Sequence, residues 1–172
     1  AVQKDGKWVH VKTGEALTVG GIEKMSKSKK NVVDPDTIIE AYGADTARWF
    51  MLSDTPPERD IEWTSTGAEA SWRFVQRIWR LVGEAAQMPR GGKGVTELRR
   101  TTHKVIAAVT DDLENLRFNR AIARIYELSN GLQAGLQSKD PAVREAADTM
   151  VLLMAPMMPH LAEECWTVLG HQ

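Results

Sequence analysis

From Thr64 onward, apolar residues return every three or four positions, and that periodicity fixes the fold class. Ala68, Trp72, Val75, Trp79, Val82 and Ala86 form one stripe. Leu98, Val105, Val109, Leu113 and Leu116 form a second, and Ile122, Ile125, Leu128, Leu132 and Leu136 a third. Each stripe predicts an amphipathic helix with one face to bury. "QMPRGGKG" and "NLRFN" break the pattern. Asp140-Pro141 predicts a fourth helix start, since Asp caps and Pro suits the first helical position. Pro156 and Pro159 interrupt that helix, and "HLAEECWTVLG" predicts a short last one. Long amphipathic helices joined by short breaks imply an up-and-down bundle. The fold class is therefore mainly α.

The first third reads differently. Trp8, Val9 and Val11 precede Thr13-Gly14, with Leu17 and Val19 after it. This predicts a short β-hairpin ending at Gly20-Gly21. Asp34 as cap, Pro35 and Gly43 bracket a short helix. "ADTARWFMLS" predicts a second, with Ala47, Phe50 and Met51 on one face. Pro56-Pro57 forces an extended connector. We expect the chain to divide at residues 1–62 and 63–172.

Composition narrows the function classes. The 172 residues carry a net charge of -1, so any polyanion site must be a local patch. Cys165 is the single cysteine, which excludes an internal disulfide framework. His10, His103, His160 and His171 are scattered, and no metal-ligand spacing is present. No apolar run is long enough to span a bilayer, and the first residues lack a signal-peptide layout. The opening "AVQKDGKW", without an initiator Met, reads as the middle of a longer protein.

The local patch is "IEKMSKSKKN", residues 22–31. Lys24, Lys27, Lys29 and Lys30 supply mobile ammonium groups, and Ser26 and Ser28 add hydroxyls. Phosphoryl and nucleotidyl transfer need positive charge where negative charge develops on a leaving group. A bare lysine cluster is more often a solvated loop than a site. The order of the residues changes that balance.

"KMSKS", Lys24 to Ser28, is identical to the second signature of the class I aminoacyl-tRNA synthetases. "KKNVVDP" and "YGADTARWFML" resemble the same family. Within it, "PPERDIEWTSTGAEASWRFVQRIWRLV" resembles the leucyl-tRNA synthetases, where the isoleucyl, valyl and methionyl enzymes usually diverge. "HKVIAAVTDDLENLRFNRAIARIYELSN" and "LLMAPMMPHLAEECW" extend that likeness.

The resemblance implies a cytoplasmic, monomeric leucine–tRNA ligase using ATP with Mg2+, leucine and tRNA(Leu), with no membrane partner. It implies a fold of the class I anticodon-binding type, a helical bundle preceded by a hairpin and the KMSKS loop. It also implies that the loop closes over ATP while the leucine carboxylate attacks the α-phosphorus. Lys27 is the first candidate ATP contact and Lys24 the second; Met25, Ser26 and Ser28 complete the ATP-binding loop. Lys30 departs from the family, standing where many members carry Gly or Asn. The first ("HIGH"-type) signature, the nucleotide-binding half, the editing domain and the small C-terminal domain have no counterpart here. We therefore expect a fragment with an incomplete catalytic site, inactive alone.

For the helical part, the resemblance implies tRNA docking. Arg73, Arg77 and Arg80 recur at helical spacing, and Arg99, Arg100 and Lys104 open the next helix. Such rows suit phosphate contacts, but a solvated face paired with Glu69, Glu84 and Glu97 explains them equally well. Trp72 and Trp79 are expected in the core by periodicity, and Trp49, Trp63 and Trp166 between elements. His160 is expected to be structural, the methionines at 150, 154, 157 and 158 an adaptable core, and Cys165 an inert thiol. Asp111, Asp112 and Glu114 read as a solvated acidic face. Three other readings stay open: a synthetase of another specificity in the same subclass, a free-standing helical RNA-binding module, and a plain structural bundle.

Overall fold

The computed structural model describes residues 2–172, which divide after Asp34 into two compact units, the second being Pro35–Gln172. In the first, β1 (Val2–Lys4) and β2 (Lys7–Val9) pair antiparallel, Val2 opposite Val9 and Lys4 opposite Lys7. Asp5 and Gly6 both hold positive φ, 48° and 76°, as a tight two-residue hairpin turn requires. The hairpin expected around Thr13-Gly14 is thus displaced upstream. Asp-Gly is the stronger turn signal. At Thr13-Gly14 the chain does turn back, but it makes only an isolated bridge, Val9 to Ala16. The Thr13 backbone N–H donates to His10 Nδ1 at 3.2 Å, which rounds that turn. Val11 and Val19 are exposed, so no buried face holds strands there.

The second unit contains α1 (Pro35–Tyr42), α2 (Ala44–Ser53), α3 (Ser65–Ala86), α4 (Glu97–Glu114), α5 (Phe118–Ser138), α6 (Val143–Met154) and α7 (Pro159–Val168). It is a mainly α bundle. Gly43, at φ 84°, separates α1 from α2. Thr64 and Thr96 cap α3 and α4, their hydroxyls accepting from the N–H groups of Gly67 and Arg99. α5 packs against α2, α3, α4 and α6. Ile78, Leu81, Ile125, Leu128, Met150 and Met154 are wholly buried around it.

Asp140-Pro141 does not start α6 directly. Asp140 Oδ1 accepts from Ala142 N–H at 2.8 Å and its carbonyl from Val143 N–H. That turn delays the helix to Val143. The compact units divide at residue 34, because α1 and α2 pack on the bundle helices.

The core phase of α3 also differs from expectation. Ala68, Val75 and Val82 are buried, but their partners are Ser71, Phe74, Ile78, Leu81 and Ala85. Trp72 and Trp79 are 37% and 45% exposed. Each follows a buried residue by one position, a rotation of about 100° that carries it past the contact face. On α2 the buried residues are Asp45, Thr46, Trp49 and Phe50, and Met51 faces solvent.

Asp112 corrects the acidic-face expectation. It is only 2% exposed, with Arg117 Nε 3.0 Å and Arg120 Nε 3.3 Å from its carboxylate. The Asp112 carbonyl also accepts the Arg117 N–H at 2.7 Å, tying the α4–α5 corner. α7 has a cap from a distant residue. Asp45 Oδ2 accepts from Leu161 N–H at 2.7 Å, and Asp45 Oδ1 lies 2.9 Å from His160 Nδ1. His160 is structural, as expected.

Cys165 is fully buried, and burial pushes its thiol up to about 12 from 9.0. Only the thiolate is nucleophilic. Ellman's reagent at pH 8 is therefore expected to label Cys165 only after denaturation. The shift is upward, so its stabilising contribution is complete below pH 9 and is lost as pH rises toward 12. Rapid labelling of the folded chain at pH 8 would place this thiol at the surface.

Candidate functional site

The lysine loop belongs to the first unit. Backbone turns back over Lys27–Lys30, with Lys30 N–H donating to Lys27 carbonyl at 3.2 Å. Ser26 N–H donates to Asn31 Oδ1 at 2.8 Å, and Asn31 Nδ2 donates to Lys24 carbonyl at 3.4 Å. The Ser26 and Ser28 hydroxyls are 3.2 Å apart, and Ser26 Oγ accepts from Lys29 N–H. Both serine hydroxyls therefore shape the loop.

The four lysines are not equivalent. Lys29 Nζ is 2.8 Å from Glu23 Oε2. Lys24, Lys27 and Lys30 are exposed, and their ammonium groups make no ion pair among the described residues. Met25 is 42% exposed beside them. Lys30 sits at φ 53°. That left-handed conformation costs a side-chain-bearing residue about 1–2 kcal/mol, and Gly or Asn adopts it readily. The place where the resemblance leads us to expect Gly or Asn is thus one whose backbone conformation favours those residues. Asn31 and the Glu23–Lys29 pair were not singled out from sequence. Their only signal is an amide and a carboxylate flanking the lysines.

In the second unit, the six basic residues of the candidate row separate into two groups. Arg77 Nη2 donates to Asn130 Oδ1 at 2.7 Å and Gln133 Oε1 at 3.0 Å, bracing α3 against α5. Arg99 Nε donates to Glu145 Oε2 at 2.8 Å, and its other nitrogens hold the Gly92 and Gly94 carbonyls. The Arg99 hydrogen bond lowers the pKa of Glu145, with His103 adding to it. Arg77 and Arg99 thus have structural work. Arg73 and Arg80 lie exposed, within 3.9 and 3.0 Å of Glu69 and Glu84. Arg100 is exposed near Glu97, and Lys104 is exposed. Exposed pairs of this kind contribute at most about 1 kcal/mol, so a phosphate can replace the carboxylate.

Among the described residues, no group of three or more His, Cys, Asp or Glu is placed to hold a metal ion. No helix is long and apolar enough to cross a membrane.

Two known families match parts of this chain. Residues 16–64, which include the loop, match the tRNA synthetases class I (I, L, M and V). Residues 96–172 match the anticodon-binding domain of tRNA ligase. The chain belongs to the class I tRNA synthetases.

Similarity to individual proteins narrows this. The leucine–tRNA ligases of Parvibaculum lavamentivorans and Brucella anthropi are each 55% identical, over 170 and 174 residues, covering 92% of this chain. A crystal structure of the ternary complex of Agrobacterium radiobacter K84 agnB2 LeuRS-tRNA-LeuAMS superposes with a TM-score of 0.76 at 29% identity. It covers 86% of this chain and 21% of that one. Inside the class, this chain falls with the leucine–tRNA ligases, and it spans 20% of the length of those two relatives.

Proposed function

We propose that this chain is the part of a cytoplasmic, monomeric leucine–tRNA ligase that contacts ATP and docks tRNA(Leu). The observation that carries the reading is the exposed Lys-Met-Ser-Lys-Ser loop, with the Lys24 and Lys27 ammonium groups in no ion pair among the described residues. In amino-acid activation the leucine carboxylate oxygen forms a bond to the α-phosphorus of ATP. The bond to the β-phosphate oxygen breaks, and pyrophosphate leaves with the electron pair. Lys27, and then Lys24, would meet the charge that grows on that leaving group. Mg2+ would arrive on the triphosphate. Ser26 and Ser28 fix the loop, and Met25 lies between the two lysines.

We assign residues 1–62 to the end of the catalytic region and 63–172 to tRNA docking. Arg73, Arg80, Arg100 and Lys104 are the proposed phosphate contacts; Arg77 and Arg99 support the helices that carry them. Contacts to stem phosphates, rather than readout of anticodon bases, suit a row of guanidinium and ammonium groups.

The test is a chimera in which this chain replaces the corresponding segment of the Parvibaculum enzyme. It is expected to show leucine-dependent ATP–pyrophosphate exchange and to charge tRNA(Leu). A folded chimera that exchanges with isoleucine, valine or methionine instead would defeat the leucyl assignment. In the same chimera, replacing Arg73, Arg80, Arg100 and Lys104 together by Ala should weaken tRNA binding. It should also flatten the salt dependence by roughly one logarithmic unit of slope per lost contact. An unchanged slope would remove these four residues from the interface.

A further inference from the structure

We propose that Asn31 is the positioning residue of the lysine loop, presetting where the Lys24 and Lys27 ammonium groups meet phosphate. The inference rests on the reading of that loop as an ATP clamp. It adds a residue outside the five-residue signature and assigns it a physical task.

The loop is exposed and has no core of its own, so its shape depends on its hydrogen bonds. Lys30, at φ 53°, turns the backbone so that the next side chain returns to the start of the loop. Asn31 Oδ1 then accepts the Ser26 N–H at 2.8 Å, while Nδ2 donates to the Lys24 carbonyl at 3.4 Å. A carboxamide offers an acceptor and a donor on two separate atoms of one short stem. Asp keeps the acceptor, and Ala keeps neither.

The braced stretch includes Met25 and Ser26, which lie between the two free ammonium groups. Ser26 Oγ passes the constraint forward by accepting from Lys29 N–H at 3.3 Å, and Glu23 holds the Lys29 ammonium. Asn31 thus ties the end of the turn to its start, and the Lys24 and Lys27 side chains stay exposed. A charge that must meet a transition state gains rate from being placed beforehand, and small misplacements are costly.

The chimera with Asn31→Ala is expected to lose about 10- to 50-fold in kcat of leucine-dependent ATP–pyrophosphate exchange. The KM for ATP should shift less than about threefold, because ground-state charge is unchanged. Asn31→Asp should recover part of kcat, since the stronger of the two hydrogen bonds survives. Amide exchange of Ser26 should accelerate at least about threefold in Asn31→Ala, with the thermal midpoint of the chimera unchanged. A kcat within twofold of the unsubstituted chimera would overturn the proposal. So would equal losses in Asn31→Asp and Asn31→Ala. Lys27→Ala distinguishes the two levels. If it abolishes exchange while Asn31→Ala does not, the positioning role alone fails. If neither changes exchange while Ser26 still opens in Asn31→Ala, the ATP reading fails and the brace remains.

Discussion

In the chimera, Lys27→Ala is expected to lower kcat for leucine-dependent ATP–pyrophosphate exchange by about 10²- to 10³-fold, the usual effect of removing one preorganised donor from developing charge. The KM for ATP should change much less. ATP carries its triphosphate charge before and after binding, and other contacts hold it. What grows during the reaction is the charge on the oxygen that leaves the α-phosphorus. An ammonium placed there stabilises the transition state more than the ground state, and its loss falls on kcat. Lys29→Ala is the internal control. Its ammonium is 2.8 Å from Glu23 and already engaged, so its removal should cost less than about fivefold. Unchanged exchange in Lys27→Ala would take the loop out of the chemistry. A raised KM with unchanged kcat would make Lys27 a uniform binder of ATP.

The contrast between Lys27 and Lys29 was not legible in the sequence. Five consecutive residues identify the loop, but which lysines remain free depends on a fold-back that brings Glu23 beside Lys29. The same separation runs through the arginines. Helical spacing placed Arg73, Arg77 and Arg80 in one row. Only the packing of α3 on α5 reveals that Arg77 meets Asn130 and Gln133, more than fifty positions away. Local signals behaved better. Pro35 and Gly43 bracket α1, and the helical pattern begins beside Thr64, because these signals depend on backbone conformation within a few residues. Periodicity found every long helix and the core phase of α4 and α5, but not that of α3. A stripe of Ala68, Val75 and Val82 is shared by the true core face and the expected one. The bulk of Trp72 and Trp79 drew the expected face toward them. Asp5-Gly6 carried the hairpin signal in plain view, and the larger apolar residues around Thr13-Gly14 obscured it.

That error of phase yields the largest expected stability effect. Trp49 on α2 is wholly buried and stacks on Phe74 with ring centroids 5.1 Å apart. It meets Tyr126 edge-on at 5.9 Å, and its Nε1 donates to Tyr126 Oη at 3.1 Å. The indole therefore joins α2, α3 and α5 at one point. Trp49→Ala removes that volume from a close-packed site and is expected to cost about 3–5 kcal/mol. In this chain that corresponds to a melting midpoint lower by roughly 10–15 °C. Trp49→Phe separates the causes. It keeps a ring in contact with Phe74 but deletes the donor to Tyr126, and should cost about 1–2 kcal/mol for the hydrogen bond, plus a smaller packing loss. Trp72→Ala is the decisive comparison, because sequence periodicity treats Trp72 as core and the structure leaves it 37% exposed. Its loss should cost about 1–3 kcal/mol, less than Trp49→Ala, since over a third of its surface is already in water. Thermal unfolding followed by circular dichroism measures all three. Equal losses for Trp49→Ala and Trp72→Ala would return Trp72 to the core and rotate α3 back to the phase that the stripe alone suggests.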